Sequence, residues 1–289
     1  MNHTEQRMKL RAVLEGPRCV SPASVFDPMS ARIAEAVGYE IGQVGGSILS
    51  HAVLAAPELP LLTLTEVAGQ IRRIMRVSKL SLIVDADNGY GNALNTMRTV
   101  QELEHAGVSA LTIEDTVFPV PFGQEEGKES LTSIEEGVAK LRAAVAARSD
   151  PSLVIVARTS ALRIEGTEGT VARARAYAAT GVDAFQFVAV RNLEQMEALY
   201  AACKLPIILR EPAGPAPVKR EELESRGARI LMHGHQPIAA AAKAMHEVYA
   251  HLFGGGATAD LKSKIASPPE MNRLVDADRY IEWQREYLH

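Results

Sequence analysis

The sequence predicts a single (β/α)8 barrel of the TIM type spanning residues 1–289, with residues 257–289 as a C-terminal helical extension. Three observations predict it. Short apolar runs alternate with longer amphipathic ones from residue 18 to residue 250. Several short runs, such as Leu82-Ile83-Val84 and Leu153-Val154-Ile155-Val156-Ala157, are apolar without a break. Strands of that kind are covered on both faces, as in a parallel sheet under helices. The alternation repeats to give eight strands and eight helices, which closes a barrel. An open doubly wound sheet is the alternative, but no G-x-G-x-x-G follows the first strand.

The strand candidates are 18–22, 40–45, 80–85, 109–114, 152–157, 183–188, 205–209 and 228–232. Helices fit 28–37, 65–76, 92–106, 133–147, 169–180, 192–202, 219–226 and 237–250. In 92–106, Leu94, Met97, Val100 and Leu103 share a face, and Gly107 offers a stop. The 133–147 helix opens with Ser133-x-x-Glu136, a capping-box pattern. Gly254-Gly255-Gly256 reads as a hinge after the last barrel helix. Beyond it, a helix over about 275–288 carries Tyr280, Trp283 and Tyr287 as an aromatic stripe, suited to packing on a neighbouring subunit or on the barrel flank.

The chain has 289 residues, 47% hydrophobic and 23% charged, which is ordinary for a globular protein with a large core. The net charge is −4 and no basic block stands out, which argues against a nucleic-acid partner. Two isolated cysteines, Cys19 and Cys203, form neither a disulfide framework nor a zinc pattern, which fits a reducing compartment. The segment Met1–Gly16 is too charged for a signal peptide, and no apolar stretch approaches the ~20 residues of a membrane span. A cytoplasmic location and no membrane partner are therefore expected.

In a barrel the functional groups gather at the C-terminal strand ends. Strand 2 ends in Gly45-Gly46-Ser47, strand 3 in Asp85-Ala86-Asp87, strand 4 in Glu114-Asp115, strand 5 in Arg158-Thr159, and strand 8 in His233-Gly234-His235. Asp85 and Asp87 are two apart and share a face. Glu114 on the next strand can face the same point. Converging carboxylates with no cysteine suit a hard cation, Mg²⁺ with Mn²⁺ as its replacement. The competing reading is that the two aspartates cap the next helix or pair with Arg98. Gly46 and Ser47 offer close backbone N–H groups and a hydroxyl to a carboxylate or phosphate, or form a plain βα turn. Arg158 clamps a carboxylate in bidentate fashion, or forms a structural ion pair with Glu114 or Asp115. His235, more than His233, is placed to contact substrate or to move a proton.

These residues carry a resemblance. Ser24-Val25-Phe26-Asp27-Pro28-Met29-Ser30-Ala31-Arg32, Gly45-Gly46-Ser47, Asp85-Ala86-Asp87-Asn88-Gly89-Tyr90-Gly91-Asn92, Ile113-Glu114-Asp115 and Ala157-Arg158-Thr159 resemble the isocitrate lyase/phosphoenolpyruvate mutase superfamily along nearly the whole chain. The resemblance implies a barrel with Mg²⁺ at Asp85, directly or through water, and Asp87 and Glu114 in the metal's water shell. It also implies a homotetramer in which the C-terminal helix is swapped onto a neighbour. The superfamily's C–C lyases carry a cysteine-bearing loop after strand 4 and a glutamate at the end of strand 6. Here the loop, Val117 to Lys128, has neither cysteine nor histidine, and strand 6 ends in Val188-Ala189-Val190.

Those absences, with the Gly234-His235 pair, resemble the biotin-independent oxaloacetate decarboxylase branch. That implies a carboxy-lyase in which Gly46, Ser47, Arg158 and His235 contact a small 2-oxo acid. It further implies that Mg²⁺ stabilises the enolate left as CO₂ departs. Three positions depart from that branch. Glu58 stands in place of an outer-shell aspartate, Arg210-Glu211-Pro212 replaces neutral residues and a tyrosine, and His233 replaces an asparagine. Two other functions fit the same residues: a C–C lyase or hydrolase of another 2-oxo or 2-hydroxy acid, such as a substituted malate, and a non-catalytic carboxylate-binding member.

Overall fold

The computed structural model describes residues 3–125, 127–210 and 218–289. Eight parallel strands form one sheet in sequence order: β1 (Ala23–Ser24), β2 (Ile41–Val44), β3 (Ser81–Asp85), β4 (Ala110–Glu114), β5 (Val154–Thr159), β6 (Ala184–Phe187), β7 (Ile207–Arg210) and β8 (Ala228–Met232). The ring closes at Val20. Its N–H donates to the Arg229 carbonyl at 2.9 Å, and its own carbonyl accepts from the Leu231 N–H at 2.9 Å. The first strand thus lies later than the expected 18–22. Pro22, which has no N–H to give a ladder, splits it into a bridge to β8 at Val20 and a two-residue pairing with β2.

The strand register sorts side chains by parity. Leu82, Val84, Leu111, Ile113, Ile155, Ala157, Phe185 and Leu209 belong to the outer core beneath the helices. Ile83, Ala110, Val154, Val156, Ala184, Ile208, Ile230 and Met232 form a separate inner core. Continuing each inner row toward the C-terminal end reaches Asp85, Glu114, Arg158, Gln186 and Arg210. The barrel is therefore apolar in its middle and charged at its mouth.

The first helix was not expected. The helix α1 (Thr4–Glu15) closes the opposite end of the barrel. Its Leu10 and Leu14 join the inner core. Arg7 donates to the Val108 and Glu104 carbonyls at 3.0 and 2.8 Å, and Arg11 to those of Ser152 and Pro151 at 2.9 and 2.8 Å. The charged side chains of this helix are what satisfies the backbone at the barrel floor.

The remaining helices are α2 (Pro28–Val37), α3 (Gly46–Leu49), α4 (Leu64–Met75), α5 (Ala93–Ala106), α6 (Ile134–Ala147), α7 (Ala161–Ile164), α8 (Gly166–Ala178), α9 (Leu193–Cys203), α10 (Arg220–Glu224), α11 (Gln236–Phe253), α12 (Pro268–Leu274) and α13 (Ala277–Tyr287). Gly107 ends α5 in the left-handed conformation, as its place predicts. At α6 only half of the capping box forms: the Ser133 hydroxyl accepts from the Glu136 N–H at 3.2 Å.

The helix α11 fills the expected 237–250 position, yet none of its residues is buried. Tyr249 and Phe253 are 69% and 98% exposed. Beyond it the chain folds back, and α12 packs against α2. The aromatic stripe on α13 is present: Tyr280 and Trp283 meet edge to face at 5.3 Å, and Arg279 lies 4.4 Å over the indole. Among the described residues no helix is long and apolar enough to cross a membrane.

Candidate active site

A cavity of about 660 Å³ opens at the C-terminal ends of the strands. Its wall includes Gly46, Ser47, Asp85, Asp87, Glu114, Arg158 and His235, the full set of expected site residues. Glu58, Arg210 and residues of the loop after β4 also line it. Glu211 and Pro212 lie outside the described residues.

Arg158 organises the floor. Its Nη1 donates to Asp85 Oδ2, and its Nε lies 3.1 Å from Glu114 Oε2. Register explains the contact, because Glu114 pairs with Arg158 across β4 and β5, and Asp85 pairs with Thr112 across β3 and β4. Thr112 Oγ1 donates to Asp85 Oδ1 at 3.1 Å. Both readings of Arg158 therefore meet in one place: it is an ion-pair partner and it faces the cavity. The I-E-D segment divides by parity. Glu114 turns inward, while Asp115 turns outward and accepts from Thr159, Tyr177 and Arg173 at 2.9, 2.9 and 3.2 Å. Asp115 is thus not a partner of Arg158.

The segment after β3 shows why its glycines are needed. Asp87 and Tyr90 adopt φ of 45° and 59°, and Gly89 and Gly91 adopt 81° and 143°. A side chain on Gly89 would collide with Thr96, and one on Gly91 with Asn95. The alternative that the aspartates cap the next helix is not realised. Asn92 caps α5 by accepting from Leu94 and Asn95 at 2.9 and 3.3 Å. Arg98 pairs with Glu102 at 2.8 Å instead. The loop after β4 is tied to this segment, as Asn88 Nδ2 donates to the Phe118 carbonyl at 3.0 Å.

Three carboxylates share one guanidinium, and the protonation equilibria follow. Burial pushes Asp87 up to about 7, with the Asp85 charge adding to it. Burial pushes Glu114 up to about 8, against the pull of Arg158. Burial also opposes ionisation of Asp85, but the Arg158 guanidinium against it holds it below the usual carboxylate range. Burial lowers His235, helped by Arg210 and His51.

The donor set fits a hard divalent cation. Among the described residues, no three His, Cys, Asp or Glu side chains close into a cage for an ion. Mg²⁺ needs no cage, since it keeps several waters and takes one or two carboxylates. Asp87 Oδ1 and Asp85 Oδ2 lie 3.2 and 3.8 Å from the point a Cβ on Gly46 would occupy, so both face one spot in front of that turn. A dication beside Asp87 and Glu114 would offset the burial that disfavours their ionised forms.

Some site residues carried no signal in the sequence as functional groups. Thr112 and Gln186 line the cavity by inward parity. Ser24 lies behind His235, with its Oγ 2.6 Å from Nδ1. At the rim, Arg163 Nη2 reaches both oxygens of Glu129 at 2.7 Å. His233 is exposed, and its carbonyl accepts from Gln43 Nε2 at 2.9 Å.

A closed parallel barrel with an acidic, arginine-centred cavity at its C-terminal rim is the architecture of a (β/α)8 enzyme. The chain belongs to the phosphoenolpyruvate phosphomutase family, whose model matches residues 10–253. It is 52% identical to an oxaloacetate decarboxylase of Rhodopseudomonas palustris (strain BisB18) over 86% of this chain and 85% of that protein. It is similar to a phosphonopyruvate hydrolase solved with oxalate and Mg²⁺, at 28% identity and a TM-score of 0.85 over the full length of both chains. It is also similar to an oxaloacetate acetylhydrolase solved with 3,3-difluorooxalacetate, at 27% identity and a TM-score of 0.84, covering 98% of this chain and 97% of that one.

Proposed function

We propose that the protein decarboxylates oxaloacetate to pyruvate and CO₂ with Mg²⁺ at Asp85, and with Asp87 and Glu114 reaching the ion through water. One observation carries the reading. Asp85, Glu114 and Arg158 interlock in one cavity whose β6 wall presents Val188 and Ala189 rather than an acid. Decarboxylation needs no protein acid to start, whereas C–C cleavage in the lyase manner does. The names of the relatives support the substrate.

When bound, Mg²⁺ supplies Lewis-acid stabilisation for the charge that develops on the C2 oxygen. The rest falls to the chain. Arg158 and the Gly46-Ser47 turn fix the C1 carboxylate, by the guanidinium on one side and backbone N–H groups on the other. His235 contacts the substrate near the departing carboxylate. Asp85 and Glu114 hold Arg158 in place. Solvent entering the open cavity protonates the enolate at C3.

The test is pyruvate formation by purified protein from oxaloacetate, with Mg²⁺ and with a chelator. Release no faster than the spontaneous rate would overturn the reading. Asp85→Ala reduces metal-dependent turnover to background while the circular dichroism spectrum stays that of the wild type. A second reading has its own observation. The Arg210 side chain lines the cavity and makes no hydrogen bond or ion pair among the described residues, which suits a further carboxylate on a substituted malate or a larger 2-oxo acid. Turnover of such an acid in preference to oxaloacetate would favour it.

The exposed face of α11 supports a homotetramer in which a neighbour covers that helix. The aromatic stripe of α13 is exposed as well, with Tyr280 and Tyr287 at 56% and 70%, which supports the same exchange for the expected 275–288 helix. The two buried, unpaired cysteines support a cytoplasmic location.

A further inference from the structure

His235 stands at the start of α11, just beyond β8, and borders the cavity. Its Nδ1 lies 2.6 Å from Ser24 Oγ, contributed by β1 from the other side of the barrel closure. Ser24 is 8% exposed, and its hydroxyl has no other hydrogen-bond partner among the described residues. The opposite ring edge faces Gly45: a Cβ there would sit 3.0 Å from Nε2. The next residue, Gly46, borders Asp85 and Asp87. The free nitrogen of the ring therefore faces the Gly45-Gly46 turn at the edge of the cavity, where it can reach the departing carboxylate.

We infer that Ser24 is a positioning residue that holds His235 as a neutral imidazole with its proton on Nε2, so that the ring donates a hydrogen bond to a substrate carboxylate and does not act as a base. The assignment follows from counting protons. The contact needs one donor. If Nδ1 carried the proton, the Ser24 hydroxyl would accept, and its own proton would have no acceptor in a buried place, a costly arrangement. If Ser24 donates to Nδ1, the hydroxyl and the near nitrogen are both satisfied, and the ring proton must sit on Nε2. Gly45 leaves that edge uncovered. Burial and the neighbouring Arg210 and His51 disfavour the doubly protonated ring, which agrees with a neutral donor.

The chemistry favours such a donor. A carboxylate offers only acceptors, so an Nε2 without a proton would repel it. A neutral N–H orients the carboxylate without adding a fixed positive charge beside it. A full charge there would stabilise the carboxylate over uncharged CO₂ and oppose its departure. This inference rests on the cavity being a 2-oxo acid site, and its test separates the two.

The experiment is ¹⁵N spectroscopy of the full-length protein with labelled histidine, using His235→Asn to assign the ring, together with kinetics of Ser24→Ala and Ser24→Thr. The wild-type ring is expected to show a protonated Nε2 and a bare Nδ1. Ser24→Ala mixes the tautomers and raises KM for oxaloacetate about tenfold with kcat within about threefold. Ser24→Thr, which keeps the hydroxyl, restores both the spectrum and KM. A wild-type ring protonated on Nδ1 would overturn the inference, as would a Ser24→Ala ring still held as the single Nε2–H form. An Nε2–H ring in a protein that does not consume oxaloacetate would retire the decarboxylase reading and leave the Ser24 assignment standing.

Discussion

Arg158 is shared by Asp85 and Glu114, and substitution separates its two duties. Arg158→Ala removes the clamp on the C1 carboxylate and raises KM by about 30- to 700-fold, the equivalent of roughly 2–4 kcal/mol for a charge-assisted pair. Steady-state kinetics at saturating Mg²⁺ checks it, and an unchanged KM would remove Arg158 from substrate binding. A second expectation concerns pH. Asp87 and Glu114 sit at about 7 and 8 in the metal-free protein. Mg²⁺ requires the ionised forms, so binding expels protons below those values. Mg²⁺ affinity therefore falls as pH drops from 8 toward 6, by up to about tenfold per unit for each proton displaced, and levels off above about 8.5. Calorimetry in two buffers of different ionisation enthalpy measures the proton release directly; none at pH 7 would contradict it.

Which residues the sequence reveals follows from how rare their chemistry is in context. A carboxylate or a guanidinium ending an apolar strand has few structural excuses, so Asp85, Asp87, Glu114 and Arg158 stand out. Ser24 has many, and its partner His235 is 211 positions away, a closure that only the folded ring supplies. Strand parity also bears on the polar residues of the cavity wall. Thr112 and Gln186 continue the inward rows of Ala110 and Ala184, so alternation alone places them at the mouth.

At the scale of elements, apolar runs located seven of the eight strands closely, because a strand buried on both faces leaves no other choice of residues. The first strand shifted because a proline divides it, and alternation does not weigh a missing N–H. The helix α1 went unseen for a different reason. Its arginines read as solvent-facing, yet Arg7 is buried, with Asp150 at 2.8 Å and Glu104 at 3.8 Å. The apolar side is narrow but central, since Leu10 is wholly buried within the barrel's inner core. Leu10→Ala should cost about 2–5 kcal/mol, as do other deletions at close-packed sites. Urea unfolding followed by fluorescence or circular dichroism reads it, and a loss below about 1 kcal/mol would show that the helix is not part of the cooperative core.

For the whole molecule, the exposed side of α11 is the feature that a single chain leaves unsatisfied. An eighteen-residue helix with Met245, Tyr249, Leu252 and Phe253 all exposed is an invitation to association. Light scattering is expected to give a tetramer for the wild type. Tyr249→Glu combined with Phe253→Glu shifts the mass toward smaller species at micromolar concentration. A monomer in both cases would end the proposal of exchanged helices. Such assembly also joins each cavity's rim to the subunit contact, because His235 immediately precedes α11.

The floor of the barrel bears on how the chain is made. Arg7 and Arg11 grip carbonyls and carboxylates lying 97 to 172 positions later. On a ribosome, the first helix emerges long before the strands it plugs exist. It must wait, amphipathic and unpaired, until roughly two thirds of the polypeptide has followed it. Nascent chains stopped before residue 150 should therefore expose that segment to protease, and chains extended past residue 183 should begin to protect it.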